Sequence, residues 1–162
     1  MARVLIVGLG NPLRSDDGLG PRAAEELRQG PLPPGTEVLV QHQLTPDLAE
    51  TIRHAKMVLF VDAARGEHPG EIHCQPVDPA GTNGTFTHEL TPAAVLALAK
   101  QLYGVFPQAV EISIEGASFE LGERLSPRVE EKLPALVYLT RELARLGAGG
   151  KVPSTQPAAI PQ

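Results

Sequence analysis

Short apolar runs alternate with amphipathic stretches along this chain. Residues 3–8 (RVLIVG) are β-branched, brief and closed by glycine, the pattern of a buried strand. Residues 19–29 carry charged positions on one helical face and predict a helix. A second strand is predicted over 37–41 (EVLVQ), a short helix over 47–54 and a third buried strand over 57–61 (MVLFV). Residues 72–77 suit a strand or hairpin arm, which Pro69, Pro76 and Pro79 limit. Residues 92–103 place Val95, Leu96, Leu98 and Leu102 along a helix, 109–114 (AVEISI) read as another strand, and 127–146 form the longest predicted helix.

Boundary residues agree with this division. Thr45-Pro46, Thr91-Pro92 and Ser126-Pro127 each set a hydroxyl before a proline, which predicts N-caps with proline at the first helical position. Gly30, Gly104 and Gly147 follow predicted helices and mark their ends. The alternation of strands and helices implies a single α/β domain, residues 1–146, with a largely parallel sheet flanked by helices. Residues 147–162 (GAGGKVPSTQPAAIPQ) read as a disordered tail.

Composition narrows the classes. The 162 residues are 42% hydrophobic and 20% charged, as in a water-soluble globular domain. No run approaches the roughly 18 apolar residues of a membrane span, and the first apolar run ends too soon for a signal peptide. One cysteine, Cys74, excludes an internal disulfide, so the cytoplasm is the expected compartment. A net charge of −5, unclustered Lys and Arg, and the absence of Trp argue against a nucleic-acid partner.

In a doubly wound sheet, sites form beyond the carboxyl ends of strands where the strand order reverses. The first strand leads into Gly8-Leu9-Gly10-Asn11-Pro12-Leu13-Arg14-Ser15-Asp16-Asp17-Gly18-Leu19-Gly20, and the third leads into Asp62. If these strands are neighbours, Asp17 and Asp62 meet at one edge. A dinucleotide fingerprint would need glycine where Leu13 stands, and the acids would repel a pyrophosphate; no P-loop is present. One member of the Asp16–Asp17 pair suits helix capping, and metal coordination is the leading role for the other. Asp62 reads equally as a turn residue or as a site carboxylate, because an unpartnered buried acid is costly. His88 precedes a predicted helix. Two carboxylates and an imidazole make an open site for a borderline divalent ion. His42, ending the second strand, is a further possible contact, whereas His54, His68 and His73 read as residues of the surface or of an irregular insert. Cys74 lacks a surrounding His/Asp arrangement and reads as an inert, partly buried thiol, and Ser15 lies in no nucleophile elbow.

The string GLGNPLRSDDGLG, followed by VDAARG, THELTP and GASFELGERLSPRVEE, resembles the hydrogenase maturation endopeptidase family over about residues 3–146. The resemblance implies a twisted, largely parallel, doubly wound sheet of the phosphorylase/hydrolase-like kind. It also implies an aspartic-type endopeptidase that removes the C-terminal extension of a nickel–iron hydrogenase large-subunit precursor after nickel insertion. Asp17, Asp62 and His88 match the family's metal-contacting residues, with Asp16 as a possible base or cap. The nickel belongs to the substrate, no organic cofactor is implied, and other divalent ions can occupy such a site in vitro. A monomer is expected, with neither membrane nor nucleic acid as partner. After the second strand, Gln41-His42-Gln43-Leu44-Thr45 replaces the glycine-rich turn of many members, which implies a reshaped cleft.

Other readings stay open. LIVGLGNP also resembles the first strand of peptidyl-tRNA hydrolases, although the continuation Leu13-Arg14-Ser15-Asp16-Asp17 departs from them. A non-catalytic metal-sensing chaperone module would use the same three residues, and a divergent family member could act on another metalloprotein.

Overall fold

Four parallel strands and one antiparallel edge strand form the central sheet of the computed structural model, which describes residues 3–79 and 90–149. The elements are β1 (Val4–Leu9), a 3-10 turn (Ser15–Gly18), α1 (Leu19–Gln29), β2 (Thr36–Gln41), α2 (Leu48–Ile52) and β3 (Met57–Ala64). They continue with β4 (Ile72–Pro76), α3 (Pro92–Tyr103), β5 (Gln108–Glu115) and α4 (Pro127–Ala148). Strand order is β2-β1-β3-β5-β4, with β4 antiparallel to β5. The chain steps outward from β1 to β2, then returns past β1 to β3, so the order reverses between β1 and β3. That reversal places a crevice at their carboxyl ends.

Alternation divides the core into two layers. Val4, Ile6, Leu59, Val61 and Ile112 face α1 and α4. Leu5, Val7, Val58 and Phe60 face α2 and α3. Because both faces of β1 and β3 are covered, these strands are continuously apolar rather than alternating. Each large side chain so buried contributes about 1.5–3 kcal/mol. α1 and α4 are also tied by Arg141, which donates to the carbonyls of Glu26 (2.9 Å) and Pro31 (2.7 Å) at the end of α1. Among the described residues, no helix is long and apolar enough to cross a membrane.

Several boundaries differ from expectation for tertiary reasons. β3 continues to Ala64 because residues 62–64 pair with Ser113, Ile114 and Glu115, so Asp62 lies within the strand rather than after it. Of the three predicted hydroxyl caps, Thr91 alone acts as one, accepting from the Ala94 amide at 3.1 Å. α2 begins at Leu48, beyond Thr45, and Ser126 makes no side-chain cap bond because its hydroxyl is directed to Asp16. Gly147 does not end α4; it lies inside the helix against Met57, where a side chain would collide with the sulfur, and Gly149 is the C-cap. Residues 150–162 of the predicted tail lie outside the described residues.

Candidate active site

The site begins with how tightly the opening motif folds. Gly8 on β1 and Gly20 on α1 face one another so closely that a Cβ on either would overlap the opposing backbone. This contact draws the start of α1 onto the carboxyl end of β1. Gly10 has φ +136°, a conformation side chains rarely adopt, and a Cβ there would overlap the Asp17 carbonyl. The turn folds back on itself: the Asn11 amide donates to Asp17 Oδ2 at 2.8 Å, and the Leu13 amide to Asn11 Oδ1 at 2.9 Å. Ser15 holds the left-handed region at φ 53°. Its amide donates to the Gly122 carbonyl (2.8 Å) and its hydroxyl to the Glu120 carbonyl (2.8 Å), which hold that geometry.

Asp16 has no exposed surface. Its Oδ2 accepts from the amides of Ala117 (2.7 Å) and Ser118 (3.0 Å) and from the Ser126 hydroxyl (2.7 Å), while Oδ1 accepts from the Ser126 amide (2.7 Å). Burial pushes this carboxyl up, but the Ser126, Ser118 and Ala117 donors outweigh it and hold the group below its ordinary range. Capping therefore does not describe Asp16: neither the 3-10 turn nor α1 receives a side-chain cap, and the carboxylate binds a loop about a hundred residues away. Nor does it line the cleft, which leaves it badly placed as a base.

The cleft itself has a volume of about 720 Å³ and lies at the β1/β3 reversal. Asn11, Arg14 and Asp17 contribute one wall, and His42 with Leu44, after β2, another. Asp62 on β3 and Glu111 on β5 enter from the sheet, and Thr91 borders the cleft at the start of α3. Asp62 Oδ1 accepts the Ala63 amide at 2.7 Å. Burial pushes the Glu111 carboxyl up, favouring its neutral form. Asp17 and Asp62 thus share one cleft, as neighbouring β1 and β3 require, and His42 stands at its rim. His88 lies outside the described residues. Among the described residues, Asp17, Asp62 and His42 do not converge as one three-ligand group.

An acid-lined cleft of this kind can hold a cation, orient a peptide carbonyl or carry a proton on Glu111. Glu111 and Arg14 escaped the sequence reading. The signal for Glu111 was present, since a carboxylate interrupting the apolar strand AVEISI needs a reason to be there. Arg14 gave no such signal; its guanidinium Nε donates to the Phe119 carbonyl at 3.2 Å, a contact set by tertiary structure. Cys74 is half-buried on β4, with burial pushing its thiol up, and takes no part in the cleft. His54 and His68 are exposed.

No family model and no curated protein matches the chain. Solved structures do. The hydrogenase maturating endopeptidase HybD from E. coli is 27% identical, with 91% of this chain and 94% of that one covered at a TM-score of 0.75. The [NiFe] hydrogenase maturation protease HycI from Thermococcus kodakarensis KOD1 is 29% identical, covering 89% and 93% at a TM-score of 0.72. A hydrogenase 2 maturation peptidase from Thaumarchaeota archaeon SCGC_AB-539-E09 is 28% identical, covering 86% and 96% at a TM-score of 0.66. Over most of its length, then, the chain shares its fold with structures of hydrogenase maturation endopeptidases.

Proposed function

We propose that this chain is an endopeptidase that removes the C-terminal extension of a nickel–iron hydrogenase large-subunit precursor after nickel has been inserted. The observation that carries this reading is the meeting of Asp17 and Asp62 in the switch-point cleft, on a fold shared with hydrogenase maturation proteases. Asp17, Asp62 and His88 contact the nickel of the substrate. The chain enters the cleft wall at Leu90, two residues past His88 in sequence. Holding that metal sets the nearby peptide bond beside the cleft carboxylates, and positioning of this kind contributes several kcal/mol to a rate. The nickel can then polarise the scissile carbonyl or acidify a water, or Asp17 can accept a proton from the attacking water. The protein works as a cytoplasmic monomer.

The acid lining also weighs against a peptidyl-tRNA substrate, whose phosphates Asp17 and Asp62 would repel. The decisive experiment incubates a nickel-loaded precursor with the wild-type chain and with Asp17→Asn, Asp62→Asn and His88→Ala, and follows the precursor mass. Trimming by the wild type and its loss in each folded variant are expected. Normal trimming by all three variants would overturn the site. A precursor bound but left uncut by the wild type would favour the chaperone reading.

A further inference from the structure

A second cluster of metal-ligating side chains lies away from the cleft, where the antiparallel edge strand joins the sheet. Register places it there. His73 on β4 stands opposite Ser113 on β5, and Glu71 precedes it by two residues. The Glu115 amide donates to the Glu71 carbonyl at 2.9 Å. Residues two apart along a strand share a face, so Glu71, His73 and Glu115 project together. Their ligand atoms all lie within 4.8 Å of one another, and His73 Nε2 approaches Glu115 Oε2 at 2.6 Å.

Two features distinguish the cluster from an ordinary surface ion pair. The Glu115 side chain is only 8% exposed, and the 65–70 turn is built around it. The His68 amide donates to its Oε1 at 3.1 Å, and Gly66 lies against the carboxylate where a Cβ would collide with it. One ligand is therefore fixed by backbone, while Glu71 and His73 remain exposed and free to adjust. The charge is also unbalanced. Two carboxylates share the spot; among the described residues His73 is the ion-pair partner of Glu115, with His68 acting on it at longer range, and neither acid pairs with Lys or Arg. A buried carboxylate beside a second acid favours a cation.

We infer that Glu71, His73 and Glu115 form a second divalent-cation site, of the zinc class, which clips β4 and the 65–70 turn to β5. One imidazole and two carboxylates suit a borderline ion with bonds of about 2.0–2.2 Å, and ligand atoms gathered within 4.8 Å need only modest side-chain rotation to close on it. The open side leaves a position for water. Nothing in this inference depends on the proteolytic reading, because none of the three ligands lines the cleft.

The test is titration of zinc ions into the full chain carrying Asp17→Asn and Asp62→Asn, which disable the cleft. One zinc equivalent should still bind and should raise the melting temperature. Adding His73→Ala, or separately Glu71→Gln, should weaken that binding at least tenfold and abolish the thermal shift. Both positions are exposed, so the variants should fold as the parent does; matching circular dichroism spectra would check this. Absence of zinc uptake by the cleft-disabled chain, or a titration unchanged by both further substitutions, would overturn the site.

Discussion

Asp16 and Asp17 are adjacent, yet they belong to two different regions of the molecule. On one side of the motif Asp16 is buried and receives four donors from residues 117–126. On the other, Asp17 faces the cleft and accepts a hydrogen bond from the Asn11 amide. A carboxylate saturated by amides is an anchor, because its oxygens have nothing left to offer a substrate. A carboxylate held once is oriented and still has lone pairs to use. The difference shows that an acidic pair in sequence need not be a pair in chemistry.

Substitution at each position should separate the two regions most sharply. Asp16→Asn presents an NH2 group to donors that need an acceptor, and should cost about 3 kcal/mol in urea unfolding. Asp17→Asn keeps an acceptor for Asn11 and should change stability by less than about 1 kcal/mol while abolishing processing. Equal destabilisation by the two would dissolve the distinction.

Acid titration should give the next largest effect. The folded Asp16 carboxyl lies below its unfolded value, so its stabilisation is complete above the ordinary carboxylate range, at about pH 4, and is lost as pH falls through the folded value. The wild type should lose stability below about pH 4, and Asp16→Asn should lose less. A residual slope should remain, because the hydrogen bond from His73 and the His68 amide also hold Glu115 low. Identical slopes in the two proteins would contradict the anchoring role. The smallest contrast is between two hydroxyls. Ser126→Ala removes a bond to a buried charge and should cost about 1.5–3 kcal/mol, whereas Thr91→Ala removes a helix cap and should cost about 1 kcal/mol. The reverse ranking would place the weight on α3 rather than on the loop.

Much of this architecture was legible in the chain. Local signals located β1, α1, α3 and the start of α4 well, since buried strands are apolar throughout, α1 and α3 stop at glycine, and α3 and α4 begin with proline. The meeting of Asp17 and Asp62 followed from assuming that β1 and β3 are neighbours, which the sheet satisfies. What stayed hidden depends on partners distant in sequence. Ser126 looks like a cap in any local window; its hydroxyl turns to Asp16 only because the 116–126 loop crosses the opening motif. His73 looks like a surface histidine until β4 pairs with β5 and brings Glu115 beside it. Glu111 joins the cleft only once β5 lies next to β3.

The anchoring of Asp16 also has a temporal meaning. Its donors are separated from it by 101 to 110 positions, so they emerge late in synthesis. A growing chain can pair β1 with β2 and β3 early, yet its opening motif stays unfastened until residues 117–126 appear. The loop that carries Asp17 is therefore drawn into place only after β5 has been made, and a fragment ending before residue 117 would hold both cleft aspartates without the fastening that orders the first of them.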